Sequence, residues 1–125
     1  MTAETIALAE RFMRALEAND VDTIRACYAP DAAIWHNFDG ETQTVEQNMR
    51  TLGWVDKKLK NRRYEIVARQ IFPGGYVQQH VLNGTLADGT AFRMPACVVV
   101  SVENGRIAKL EEYLDSAHVE PLLRA

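Results

Sequence analysis

Apolar residues recur at three-and-four spacing from Thr2 to Ala18, as Ile6, Leu8, Ala9, Phe12, Met13 and Leu16, with Glu4, Glu10, Arg11, Arg14 and Glu17 between them. That period predicts an amphipathic helix, which Thr2 can cap and Asn19 ends. A second short helix is expected from Asp20 to Tyr28, with Asp20 as its cap and Val21, Ile24, Ala26, Cys27 and Tyr28 as its apolar content. Pro30-Asp31 stops it. Thr44 to Lys60 reads as a third helix. Thr44 and Gln47 have capping-box spacing, and Val45, Met49, Leu52, Val55 and Leu59 form an inner stripe. Gly53 costs that helix about 1 kcal/mol relative to Ala, and suggests a kink or a close backbone approach.

The rest alternates at the period of strands. Ala32 to Phe38 is a short strand ended by Asp39-Gly40. Arg63–Phe72, Tyr76–Leu86, Ala91–Glu103 and Arg106–Leu114 follow, separated by Pro73-Gly74-Gly75, Asp88-Gly89 and Asn104-Gly105. The last two turns are hairpin signals. Ala117 to Leu123 is expected to form a terminal helical turn. Helices gathered at one end must cover one face of the sheet. Strands of about ten residues exceed the usual length and favour strong curvature. The expected fold class is therefore α+β: a cone-shaped, curved antiparallel sheet, a long hairpin meander, covered by three N-terminal helices. A ligand would occupy its concavity.

Composition adds bounds. The 125 residues suit one domain spanning 1–125, without linkers or repeats. Charges are interspersed, 14 basic against 17 acidic, for a net charge of -3, which disfavours a nucleic-acid partner. The basic stretch Lys57, Lys58, Lys60, Arg62 and Arg63 falls where a helix should end, and cations there suit the helix dipole. Cys27 and Cys97 lack metal-type spacing and read as free thiols. His36, His80 and His118 are scattered, so no metal is expected, and no cofactor either. Neither a signal peptide nor an apolar run of membrane-spanning length is evident, which fits a cytoplasmic protein with no membrane partner.

Three stretches carry a resemblance: Phe12-Met13-Arg14-Ala15-Leu16-Glu17-Ala18-Asn19-Asp20, Tyr28-Ala29-Pro30-Asp31-Ala32, and Asn104-Gly105-Arg106-Ile107-Ala108-Lys109-Leu110-Glu111-Glu112-Tyr113-Leu114-Asp115. In this order and spacing the chain resembles the SnoaL-like branch of the nuclear transport factor two superfamily. That branch includes ketosteroid isomerases, limonene-epoxide hydrolase and polyketide cyclases. The resemblance implies the cone fold, whereas chemistry must be argued from the site.

Glu112 lies between Leu110 and Leu114 on one face of the last strand, with Ile107, Glu111, Tyr113 and Asp115 largely on the other. If that face lines the pocket, desolvation would raise its pKa and make it a general acid or base; otherwise it is a solvated edge residue. The resemblance places it on the catalytic aspartate of the epoxide hydrolases. Strand alternation puts Trp35 and Asn37 on one face and His36 and Phe38 on the other. Asn37 matches an asparagine that positions water in those hydrolases, but Trp35 stands where they have tyrosine. Alternatively, Trp35 packs in the core and His36 lies at the surface. His80 shares a face with Gln78 and Leu82, as a partner to Glu112 or as a packed structural residue. The hydrolases' Arg-x-Asp pair is missing, since Tyr76 to Ala87 holds neither residue. A ketosteroid isomerase would need an aspartate base and a tyrosine–acid oxyanion pair. Tyr28, Tyr64, Asp31 and Asp39 are available, but no spacing selects one, and Met94, Ala96, Val98 and Val100 supply only apolar lining.

Two expectations follow. One is a general acid–base enzyme for a small hydrophobic molecule, with Glu112, His80 and Asn37 catalytic and Trp35, His36, Leu110, Leu114, Met94 and Tyr28 binding the ligand. The other is a non-catalytic binding or dimerisation module. An apolar outer sheet face, carrying Val98 or Val99, predicts a homodimer in either case.

Overall fold

A computed structural model describes residues 2–125. Helix α1 is Thr2–Ala18 and α2 is Val21–Cys27; strand β1, Tyr28–His36, and a short β2, Thr42–Gln43, precede α3, Val45–Lys58. Strands β3 (Leu59–Phe72), β4 (Gly75–Leu86), β5 (Ala91–Glu103) and β6 (Arg106–Leu114) lead to α4, Ser116–Arg124. The alternation and turn signals thus become one unclosed six-stranded sheet in the order β2-β1-β6-β5-β4-β3.

The expected caps are formed at two helices. Asp20 accepts from Thr23 N, and Thr44 and Gln47 make the reciprocal capping box of α3. Thr2 lies inside α1 instead of capping it. The terminal turn is a nine-residue helix capped by Asp115, a fourth helix beyond the three expected. Gly53 has open space around the position of an absent Cβ, so no backbone approaches it. Close approach occurs instead at Gly75, where a Cβ would lie 1.9 Å from the Val100 carbonyl oxygen.

The β3–β6 meander is antiparallel, as the hairpin signals require, but β1 joins β6 in parallel. Strand β1 begins at Tyr28, earlier than expected, because Pro30-Asp31 is absorbed where its register with β6 shifts. A second irregularity, between Ser101 and Val102, changes the phase of side-chain alternation. Ile107, expected on the outer face, is therefore fully buried in the main core.

Two apolar clusters fill the concave side. The larger packs Leu8, Phe12 and Met13 of α1, Ile24 of α2 and Met49 of α3 against Ile34, Tyr76, Val100 and Leu110. The smaller lies beneath α4, where Val119 and Leu122 meet Leu59, Leu82, Leu86, Phe92 and Met94. The basic stretch is spent locally: Arg62 pairs with Asp56 and donates to Leu16 O, while Lys58 stacks over Trp54. Among the described residues no helix is long and apolar enough to cross a membrane.

Candidate active site

Cross-strand register decides which polar groups meet. On the concave face Arg69, Gln78, Val98, Glu112 and His36 stand in one transverse row, carried by β3, β4, β5, β6 and β1. His80 lies two residues along β4 from Gln78, on the same face. A cavity of about 80 Å³ opens over this row. Phe12, Met13 and Leu16 of α1 and Leu52 of α3 roof it, while Ile34, Val98 and Leu110 form its apolar floor. Into it face Glu112, His36, His80, Asn48, Tyr28, Tyr64 and Tyr76. That volume lies below the roughly 300–1,000 Å³ of drug-sized sites, so the cavity as shaped admits a small guest. A groove of about 420 Å³ lies between the start of α1 and the Pro73–Gly75 and Asn104–Gly105 turns. Its ionisable side chain, Glu4, is exposed, whereas the smaller cavity gathers Glu112 with two largely buried imidazoles.

His36 Nε2 is 3.3 Å from Glu112 Oε1, and both side chains are largely buried. Burial disfavours the charged imidazole, but the hydrogen bond to Glu112, its charge and that of Asp39 prevail, and the His36 pKa is raised. His80 goes the other way. Burial lowers its pKa and Arg69 adds to this, against the opposing charge of Glu112. The two imidazoles of one cavity therefore favour opposite protonation states. Burial first, then the Glu112 charge, raises the pKa of Tyr28 and Tyr64, so both remain phenols. Tyr28 donates to Asn48 Oδ1 at 3.3 Å, and Asn48 Nδ2 donates to Gln43 at 3.1 Å.

The expected site is thus redistributed. Glu112, His36, His80, Leu110 and Tyr28 line the cavity. Trp35 does not: its ring packs edge-on to Tyr113, with centroids 5.3 Å apart, on the opposite face. Asn37 lies beyond the end of β1, where its amide clasps the backbone of Leu114. Met94 and Leu114 belong to the cluster beneath α4. The imidazole paired with Glu112 is that of His36, because β1 runs alongside β6; His80 is held by Gln78 instead. Asn48 and Tyr76 also line the cavity and Gln78 lies beneath it, none of them among the expected site residues, while Tyr64, available but unselected by spacing, lines it too. Asn48 had left a signal, a lone amide on the Val45–Met49–Leu52 stripe of α3.

No curated protein sequence matches the chain. Among solved structures, it is similar to an epoxide hydrolase of the limonene-epoxide hydrolase type from M. tuberculosis, at 20% identity and TM-score 0.78, over 98% of this chain and 91% of that one. A protein of unknown function from Burkholderia pseudomallei, described as nuclear transport factor two-like, is 19% identical with TM-score 0.84, covering 98% of each chain. IdmH of Streptomyces antibioticus, provisionally assigned as a polyketide cyclase, is 17% identical with TM-score 0.83, over 97% of this chain and 99% of that one. At such identities the likeness establishes the nuclear transport factor two-like cone fold. Residues 9–110 match the profile of the SnoaL-like domain, and the chain belongs to that family.

Proposed function

We propose that the protein is a general acid–base enzyme acting on a small, largely apolar metabolite, with Glu112 as its proton handler. The observation carrying this reading is the Glu112–His36 pair at 3.3 Å inside a cavity with an apolar floor and roof. An ionised carboxylate only accepts hydrogen bonds, and a charged imidazole only donates them. His36 would hold Oε1 and fix the carboxylate plane, leaving Oε2 to meet the guest. Glu112 takes a proton from one position of the guest and returns it at another, or passes it to a leaving oxygen, as isomerase, cyclase and hydrolase chemistry each require. The enzyme-type neighbours support this class of reaction without selecting a substrate.

The test is Glu112→Gln, assayed against epoxides, ketones and enones of ring size, with solvent-deuterium incorporation followed by NMR. A fall of at least about 100-fold is expected, the usual worth of a positioned acid or base. Wild-type turnover in the variant would remove the mechanism. The modest cavity also favours a second reading, a binding module without turnover. Saturable binding with no exchange on any probe would select it.

A homodimer through the outer sheet face is part of the proposal. Val77, Val99 and Cys97 are half-buried there, beside Tyr113 at 45% exposed. A cytoplasmic setting suits the two free cysteines, Cys27 and Cys97.

A further inference from the structure

The buried row contains a hydrogen-bond circuit that acid–base chemistry at Glu112 leaves unused. Arg69 Nε donates to Gln78 Oε1 at 2.8 Å, and Gln78 Nε2 lies 2.8 Å from His80 Nδ1. Gln78 and His80 are only 1% and 4% exposed, so water does not compete for these contacts. The direction of each bond follows from donor chemistry. A guanidinium has no acceptor, so Gln78 must turn its oxygen to Arg69. Its NH₂ then faces His80, and Nδ1 must offer a lone pair. A proton on Nδ1 would set two donors against each other. Turning the amide over would only move that conflict to Arg69.

We infer that Arg69, acting through Gln78, locks His80 as a neutral imidazole with its proton on Nε2, making it a hydrogen-bond donor to a carbonyl oxygen of the guest. The inference rests on the acid–base reading of Glu112, and a carbonyl compound with an acidic α-hydrogen is a guest that would use both groups. In the step concerned, the C–H bond breaks and its proton goes to Glu112. The electron pair forms the enolate double bond, and the charge reaching oxygen is met by His80 Nε2–H. A neutral imidazole suits this role, because its remaining proton is weakly acidic and stays in place while it stabilises the developing charge. Around His80, burial and then Arg69 resist protonation and prevail over the charge of Glu112, and Tyr64 packs edge-on with ring centroids 5.3 Å apart. Arg69 and Gln78 are positioning residues.

Ring ¹⁵N–¹H correlation on the full chain labelled in histidine tests this without any substrate, with His80 assigned by its loss in His80→Asn. The expected pattern is Nε2–H and bare Nδ1, held across roughly pH 6–8, where free histidine titrates. Gln78→Glu replaces the amide by a carboxylate that accepts from both neighbours, so Nδ1 should become protonated. Deuterium exchange into cyclohexanone should fall about 10–100-fold in this variant, in proportion to a lost oxyanion donor. Nδ1–H in the wild type, or an unchanged ring pattern in Gln78→Glu, overturns the inference. If Gln78→Glu fails to fold, the wild-type spectrum alone decides. The two readings fail separately: Glu112→Gln should abolish exchange while leaving the His80 tautomer intact.

Discussion

His36 and Glu112 are direct cross-strand neighbours on the parallel β1–β6 pair, with Nε2 and Oε1 3.3 Å apart and side chains 16% and 17% exposed. Cavity-facing His80 has its pKa shifted in the opposite sense. Their contributions to stability therefore fall on opposite sides of the ordinary histidine value of about 6.5.

The sign of each follows from proton binding. Because the folded pKa of His36 is raised, the native state binds the extra proton; its contribution is full below about 6.5 and is lost as pH rises through the folded value. Because that of His80 is lowered, the unfolded state binds the extra proton, and stability is lost as pH falls from about 6.5 through the folded value. Denaturant midpoints measured against pH should thus be highest near neutrality. His36→Asn should flatten the alkaline side only, and His80→Asn the neutral-to-acid side only.

Asn37 should matter to stability more than to turnover. Its Nδ2 donates to Leu114 O at 3.1 Å and its Oδ1 accepts from Leu114 N at 2.9 Å, just before α4 begins. Asn37→Ala should cost about 1–3 kcal/mol by chemical denaturation, two partly exposed bonds' worth. It should speed hydrogen exchange at the Leu114 amide while leaving the pH profile of activity unchanged. A changed pH profile would restore Asn37 to the chemistry.

Two glycine substitutions should act in opposite directions. Gly75→Ala drives a Cβ into the Val100 carbonyl, 1.9 Å away, and should prevent folding or cost several kcal/mol. Gly53→Ala meets nothing within 4 Å inside α3 and should raise stability by about 1 kcal/mol. Thermal denaturation of both variants checks the pair.

Dimer formation should depend on the row Val77, Val99, Glu111 and Trp35 of the outer face. Val99→Lys should convert a dimer to a monomer in sedimentation at micromolar concentration, with the circular dichroism spectrum retained. A wild-type protein that sediments only as a monomer would contradict the proposed assembly.

Much of this arrangement could be read from residue order. Periodicity located α1 and α3, the Asp-Gly and Asn-Gly turns marked two hairpins, and Glu112 stood out between leucines. Strand alternation separated Trp35 from His36 correctly, but it cannot say which face is inner. That depends on the parallel pairing of β1 with distant β6, which leaves no local trace. The register shift at Ser101 and Val102 is equally silent, because an extra residue in a ladder exists only relative to its partner strand. The Arg69–Gln78 contact likewise depends on the irregularity between Ile66 and Ala68, which resets β3 against β4.

Val98 occupies the middle of the transverse row, with Gln78 on one side and Glu112 on the other. Two strand spacings, about 10 Å, separate those flanking positions. An aliphatic side chain can neither relay a proton nor bridge the two by hydrogen bonding, so it works as an insulator. With the roles proposed for Glu112 and His80, the floor it divides would have one wall that accepts protons and one that donates hydrogen bonds without releasing them. Such a polarised floor would favour one end-to-end orientation of a guest, with its acidic C–H towards Glu112 and its acceptor oxygen towards His80.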